Sequence, residues 1–202
     1  MKMCARQKIM WLTTTVLMVL CLSFSAMADD VTDSITEAME QYKKGEYAAA
    51  IGSLNYASQL IGQKKGESLE TLLPKPLAGW NAEKATSQAA GAAVFGGGVT
   101  ANRSYSKDDK EVSVSYITDS PMLQGIMMMF SNPMFATADG GKLEKINGQK
   151  AIVNYDEDGK SGEIKLVIAN RFLITIEGSN VDLKDLKDYA GSIDFNKLAS
   201  LP

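Results

Sequence analysis

The chain has 202 residues, with 21 basic against 24 acidic side chains, two cysteines and no histidine. This length suits one ordinary domain with an appendage. The lack of histidine removes the commonest general base and metal ligand, and the acidic balance argues against nucleic acid as a partner.

The amino terminus has the three-part pattern of a secretory signal peptide. Lys2, Arg6 and Lys8 precede a mostly apolar run, which ends in the small-x-small site Ala26-Met27-Ala28. The run is shorter than the roughly 20 residues that a spanning helix needs. We therefore expect residues 1–28 to be cleaved after Ala28 and the protein to be periplasmic. An uncleaved anchor and full secretion are the alternatives.

Cleavage there changes the chemistry that is available to the chain. It removes both cysteines, Cys4 and Cys21, and leaves 18 basic against 24 acidic side chains, a formal net charge of −6. An exported chain without cysteine depends on its core rather than on disulfides, and it has no thiol nucleophile. No GxSxG or P-loop motif is present either. The sequence thus predicts a protein that is not an enzyme and holds no cofactor.

Residues 29–70 are predicted to form a helical hairpin. Ile35, Met39 and Tyr42 recur at i, i+4 and i+7, and a second apolar stripe follows Gly45. That stripe consists of Ala50, Ile51, Leu54, Ala57, Leu60 and Ile61. The polar segment GQKKG at 62–66 predicts a break, which places a domain boundary near residue 70.

The hairpin resembles a single tetratricopeptide repeat. The residues at that repeat's spacing are Ala38, Gly45, Tyr47, Ala50, Leu54 and Ala57. We expect the alanines to let the two helices approach, and Tyr47 and Leu54 to fill the gap between them. Such repeats need about three copies to bury a continuous core. A single hairpin must therefore pack on its own domain, a second subunit or a partner, so Tyr47 and Leu54 are candidate binding residues.

Residues 71–202 are predicted to form an α+β domain with a mainly antiparallel sheet of six to seven strands. Pro74 and Pro76 favour an extended entry. The predicted strands are 80–87, 99–106, 111–118, 142–146, 149–155, 161–169 and 171–178, and the predicted helices are 121–130 and 182–193. Asn147-Gly148 is a strong hairpin signal, and a second turn is expected at Asn170-Arg171. The two strands flanking that second turn are apolar on both faces, which predicts a central position.

Residues 71–200 resemble the Mog1/PsbP-like group of small exported or lumenal proteins. The resemblance rests on LLPKPLAGW at the entry, on SPMLQGIMMMF between the third and fourth strands, and on the ING hairpin followed by AIVNYDEDGKSGEIKLVI. It implies an antiparallel sheet between helices, and a scaffold or assembly role rather than catalysis. A fold hosts many functions, so the role is carried over only as an analogy.

One segment has part of the pattern of an EF-hand calcium loop. Asn154, Asp156, Asp158 and Gly159 occupy its positions 1, 3, 5 and 6. Position 12, where a bidentate Glu is needed, holds Lys165. The flanks also have the pattern of strands, which favours a charged hairpin turn over a metal site.

Two further segments are candidate contact surfaces. The methionines at 122–134 form a cluster in which Met122 and Met129, seven apart, share a helix face. This cluster fits a core helix, an adaptable apolar recognition surface or a soft-metal site. The loop AAGAAVFGGG carries Val94 and Phe95, which suit contact with a membrane or partner, or folding back onto the sheet.

Together these patterns favour a non-enzymatic periplasmic binding or adaptor protein. Its expected partner is another protein or a second copy of the chain, with membrane contact through the glycine-rich loop as a further option. No transmembrane segment is expected in the processed chain. The alternative is a carrier of a small apolar or soft-metal ligand under the Met-rich helix.

Overall fold

The computed structural model describes residues 29–90, 97–132, 134 and 140–201. The predicted signal peptide and the loop residues Val94 and Phe95 lie outside the described residues. Within those ranges the elements are α1 Asp30–Lys43, α2 Tyr47–Leu72, β1 Asn81–Ala82, β2 Thr86–Ala90, β3 Gly98–Lys107, β4 Lys110–Thr118, α3 Met122–Ser131, β5 Lys142–Ile146, β6 Gln149–Asp156, β7 Ser161–Ile168, β8 Phe172–Ser179, α4 Leu183–Gly191 and α5 Phe195–Ala199. This is the predicted α+β class, with a helical hairpin before the sheet.

All described strands belong to one antiparallel sheet in the order β1-β3-β4-β8-β7-β6-β5, and β2 also pairs with β3. The central position of β7 and β8 was predicted correctly. The sheet has eight strands in the described ranges because the predicted strand 80–87 is divided between β1 and β2. These two strands pair with successive parts of β3, and the chain between them turns Ala85 into the core.

The main core lies on one face of the sheet. Alternate residues of β4, β7 and β8 are fully buried there, among them Val114, Leu166 and Ile174. α4, α5 and the end of α2 contribute Leu186, Leu198 and Leu69, which have no exposed area. An aromatic group joins these layers. Its ring centroids lie 5.3 Å apart for Trp80 and Tyr189 and 4.5 Å apart for Tyr105 and Tyr189.

The opposite face of the sheet has fewer buried residues. Ile152 and Leu173 point to it by strand alternation, and both are buried outside the main core. Leu123 of α3 is the buried residue of that helix. Its Phe130 shares a cavity with Leu143 of β5. α3 therefore partly covers this second face near β5.

The predicted break at residues 62–66 is wrong, because α2 runs without interruption from Tyr47 to Leu72. Gly62 and Gly66 face β2 at very short range. A Cβ at Gly62 would lie 2.7 Å from the Cβ of Ala89, and one at Gly66 would lie 2.7 Å from Oγ of Ser87. The two glycines are therefore close-packing positions rather than a linker. The contact with the sheet outweighs their propensity cost of about 1 kcal/mol each.

The end of α2 is fixed to the sheet by tyrosine hydroxyls. Tyr105 Oη donates to the Pro74 carbonyl at 2.6 Å, and Tyr116 Oη donates to the Leu72 carbonyl at 3.1 Å. Burial raises the pKa of both phenols, so they remain protonated donors. The same helix thus forms one arm of the hairpin and part of the sheet's core. The boundary predicted near residue 70 falls in its last turn.

The hairpin turns follow the predicted chemistry, with one shift of position. Asn147 and Gly148 have φ of 47° and 82°, as a type I′ turn requires. The turn between β7 and β8 uses Ala169 and Asn170, both at φ 52°, rather than the predicted Asn170-Arg171. The segment with part of the EF-hand pattern forms the turn between β6 and β7, as predicted. Within it, the Asp158 N–H donates to Asp156 Oδ1 at 3.1 Å.

Candidate binding groove on the helical hairpin

The hairpin forms because small residues line the contact between its two helices. Ala38, Ala50 and Ala57 are 5% exposed or less. They let α1 and the first half of α2 lie close together, as predicted. The turn between the helices contains Gly45 at φ 79°. Two polar contacts fix the antiparallel register: Ser53 Oγ donates to Gln41 Oε1 at 2.9 Å, and Lys64 Nζ lies 3.0 Å from Asp29 Oδ2.

An open apolar groove of about 370 Å³ runs between the two helices. It is lined by Ile35, Ala38, Met39, Tyr42, Tyr47, Ala50, Ile51 and Leu54. The six large side chains among them are between 39% and 66% exposed. A contiguous exposed apolar surface of this kind is a candidate interaction site.

The structure corrects the role predicted for Tyr47 and Leu54. They are not buried between the helices, where Ala38, Ala50 and Ala57 form the contact. Tyr47 is 62% and Leu54 is 52% exposed, and both line the open groove. The ring of Tyr47 lies 5.7 Å from that of Tyr42, tilted by 57°. The two predicted binding residues therefore share one surface.

The sequence interpretation missed the contribution of α1 to this surface. Ile35, Met39 and Tyr42 were recognised as a helical stripe but not as binding residues. A signal was present, because their spacing of four and then three residues is repeated in α2 by Tyr47, Ile51 and Leu54. Two helices with the same apolar spacing on either side of a short turn present one shared face.

The other predicted contact residues lie elsewhere. Met122 is 66% exposed and Met129 is half-buried, both on α3, and neither lines the groove. The core interpretation of the Met-rich helix is wrong for Met122 and Met128, since Met128 is also 66% exposed. In the described part of the chain, no group of three or more His, Cys, Asp or Glu residues is placed to hold a metal ion.

Two other cavities carry polar groups. A cavity of about 290 Å³ at the end of α3 is lined by Phe130, Ser131, Leu143, Glu144, Lys145 and Lys150. A more polar cavity of about 440 Å³ lies between α2 and β2, where Ser87 Oγ donates to Glu70 Oε1 at 2.5 Å.

The ionisable groups whose pKa is shifted lie away from the groove. Lys110 Nζ lies 2.8 Å from Asp185 Oδ2 and 2.9 Å from Asp182 Oδ2, and these hydrogen bonds raise the pKa of the lysine. The Lys110 hydrogen bond lowers the pKa of Asp182. Burial raises the pKa of Tyr189 to about 12. The ion pairs of Lys110 join β4 to the start of α4. None of the side chains that line the groove is charged.

No family model, curated protein or solved structure matches this chain. The resemblances to a tetratricopeptide repeat and to the Mog1/PsbP-like group therefore stay predictions. Among the residues that the structure describes, no helix combines the length and apolar character needed to cross a membrane.

Proposed function

We propose that this protein is a non-enzymatic adaptor of the periplasm that holds an apolar helical segment of another polypeptide in the hairpin groove. The observation that carries the proposal is the groove itself: six large apolar side chains, half-exposed or more in most cases, on two antiparallel helices. The signal-peptide pattern supports the location. The lack of histidine and of thiols in the processed chain supports binding rather than catalysis.

The shape of the groove favours a helix as its occupant. Exposed side chains spaced by four and three residues form ridges that pack into the grooves of another helix. Each arm of the surface spans eight residues, from Ile35 to Tyr42 and from Tyr47 to Leu54, which is about 10 Å of helix. Two turns of an apolar helix, with anchors at i, i+3 or i+4 and i+7, would cover it.

Site-specific photo-crosslinking in living cells tests this function. A benzophenone amino acid at Ile51 lies on the groove, whereas one at Asp33 lies on the exposed polar side of α1. We expect protein adducts from position 51 and none from position 33. Adding Met39→Glu on the facing helix should remove the adduct. Equal adducts from both positions, or none from position 51, would contradict the proposal.

A second candidate function is carriage of a small apolar or soft-metal ligand by α3. It is favoured by the exposed thioethers of Met122 and Met128 and by the cavity beside Phe130. Native mass spectrometry of protein purified without chelators or detergent tests it. A carrier should show an adduct of defined mass that Met122→Leu with Met129→Leu removes and Ile51→Glu leaves in place. An unliganded mass would exclude this candidate.

A further inference from the structure

We infer that the occupant of the groove is the same hairpin of a second copy, so that two chains join through a four-helix bundle. This inference rests on the proposed function and names the partner of the same surface. A partner helix of a different protein is the competing outcome.

The first argument comes from the two halves of α2. Ile51 and Leu69 are 18 residues apart, which is about five helical turns, so they lie on the same side of the helix. The sheet covers this side at Leu69, which has no exposed area, while Ile51 is 60% exposed. Gly62 and Gly66 mark where the cover begins. The same side of α2 is therefore packed along its second half and open along its first.

The second argument is self-complementarity. A two-fold dimer requires one patch that fits its own copy. The arm of α1 (Ile35, Met39, Tyr42) and the arm of α2 (Tyr47, Ile51, Leu54) have the same spacing of four and three, which is the spacing of a coiled-coil seam. Because the helices are antiparallel, two such faces can interdigitate as in an antiparallel four-helix bundle.

The third argument is size. Taken with the residue types, the exposed fractions of the six large residues amount to roughly 700 Å² of accessible surface per copy. Each partner of a standard-size stable interface buries about 800 Å². The groove thus offers close to what a dimer needs, without help from the sheet.

The fourth argument is charge. None of the eight lining residues is charged. Two copies can therefore meet along the lining of the groove without burying a charged side chain. A strongly charged partner helix would find no opposite charge within the groove, whereas the hairpin of a second copy needs none.

The experiment combines sedimentation with crosslinking on the exported, purified protein. Sedimentation equilibrium between about 1 and 200 μM should give a dimer for the natural chain. Ile51→Glu on α2 and, independently, Met39→Glu on α1 should each weaken dimerisation by more than about 100-fold. Circular dichroism of each variant checks that the helices and sheet remain folded.

Tyr56→Glu is the matched control. Tyr56 lies on the same helix and is 53% exposed, close to the value for Leu54, but it does not line the groove. This variant should dimerise as the natural chain does. Loss of the dimer in Tyr56→Glu and its retention in Ile51→Glu would overturn the assigned surface.

The crosslinking separates the inference from the function on which it rests. A crosslinker at Ile51 that gives an adduct of twice the chain's mass, together with a dimer in solution, supports the groove as a helix-binding surface and the second copy as its occupant. An adduct of any other mass with a monomer in solution overturns the second copy but keeps the adaptor function. A monomer with no adduct overturns both.

Discussion

The two halves of α2 place the same side of one helix in two environments, one open and one covered by the sheet. In the second half the helix is covered by β2 and β3, and Leu69 is fully buried. In the first half the same side of the helix is open, and Ile51 and Leu54 are more than half exposed. Apolar periodicity fixes which residues share a face. It does not fix whether the chain itself supplies something to cover that face.

The residues that differ between the halves explain the difference in packing. Where the sheet approaches, α2 carries Gly62 and Gly66, whose lack of a side chain permits backbone contact. Where the helix is open, it carries Tyr47, Ile51 and Leu54, whose bulk suits side-chain contact with another helix. The covered half contributes to the core, and the open half leaves large apolar side chains exposed.

The largest expected effect contrasts two leucines on this helix. Leu69→Ala leaves a cavity in the main core and should lower the free energy of unfolding by about 2–5 kcal/mol. Leu54→Ala removes a side chain that is 52% exposed and should cost less than about 1 kcal/mol in the monomer. Urea unfolding at low protein concentration measures both. Similar losses would remove the distinction between the halves.

The second contrast uses two helical glycines. Gly66→Ala brings a Cβ within 2.8 Å of Oγ and Cβ of Ser87, and we expect a loss of about 1–3 kcal/mol. Gly52 has no atom within 4 Å of such a Cβ, so Gly52→Ala should stabilise the helix by about 1 kcal/mol. Thermal unfolding of the two variants should show opposite shifts. A shift in the same direction for both would argue against close packing at Gly66.

A third contrast compares two tyrosine hydroxyls. Tyr105→Phe removes the buried donor to the Pro74 carbonyl and should cost about 1–2 kcal/mol, since Arg103 Nη1 also lies 3.4 Å from that oxygen. Tyr47→Phe, on the open half, should change stability by less than about 0.5 kcal/mol. Denaturant midpoints test the pair. An equal effect of both changes would mean that the hydroxyl of Tyr47 is also buried in solution.

The smallest effect concerns ion pairs and pH. Lys110→Met removes a lysine that is 29% exposed, while Lys64→Met removes one that is 60% exposed, so the first should lower the melting temperature more. The Lys110 contact lowers the pKa of Asp182 below its usual 3.8. Its stabilisation is therefore present above about pH 4 and is lost as the pH falls through the lower folded-state value.

The raised pKa of Lys110 sets the upper limit of the pH range over which this ion pair stabilises the fold. Stabilisation that depends on the charged lysine is complete below about pH 10 and is lost only as the pH rises through the higher folded-state value. The difference in melting temperature between the natural chain and Lys110→Met should thus be constant from pH 6 to 9 and shrink at pH 3. A difference that grows at pH 3 would reverse the sign of the linkage.

Most elements could be predicted from local patterns, and the misses have identifiable causes. Strands at 142–146 and 149–156 follow from alternation around Asn147-Gly148. The break at 62–66 was predicted because glycine and lysine are poor signals of a buried helix, although packing on β2 required glycine there. α5 was missed because five residues, 195–199, are too few to show helical periodicity. The open groove was only half foreseen, since α1 was assigned no binding residue.

The sequence by itself determined the α+β class, the antiparallel pairing and the candidate residues Tyr47 and Leu54. These follow from local periodicity, turn chemistry and composition, which each short segment carries on its own. Only the tertiary structure decided that α2 is continuous. It also decided that one side of this helix is covered by the sheet in the second half and left open in the first half. That outcome depends on contacts between residues far apart in the chain, such as Gly66 with Ser87, and no local pattern specifies which part of the helix will make such a contact.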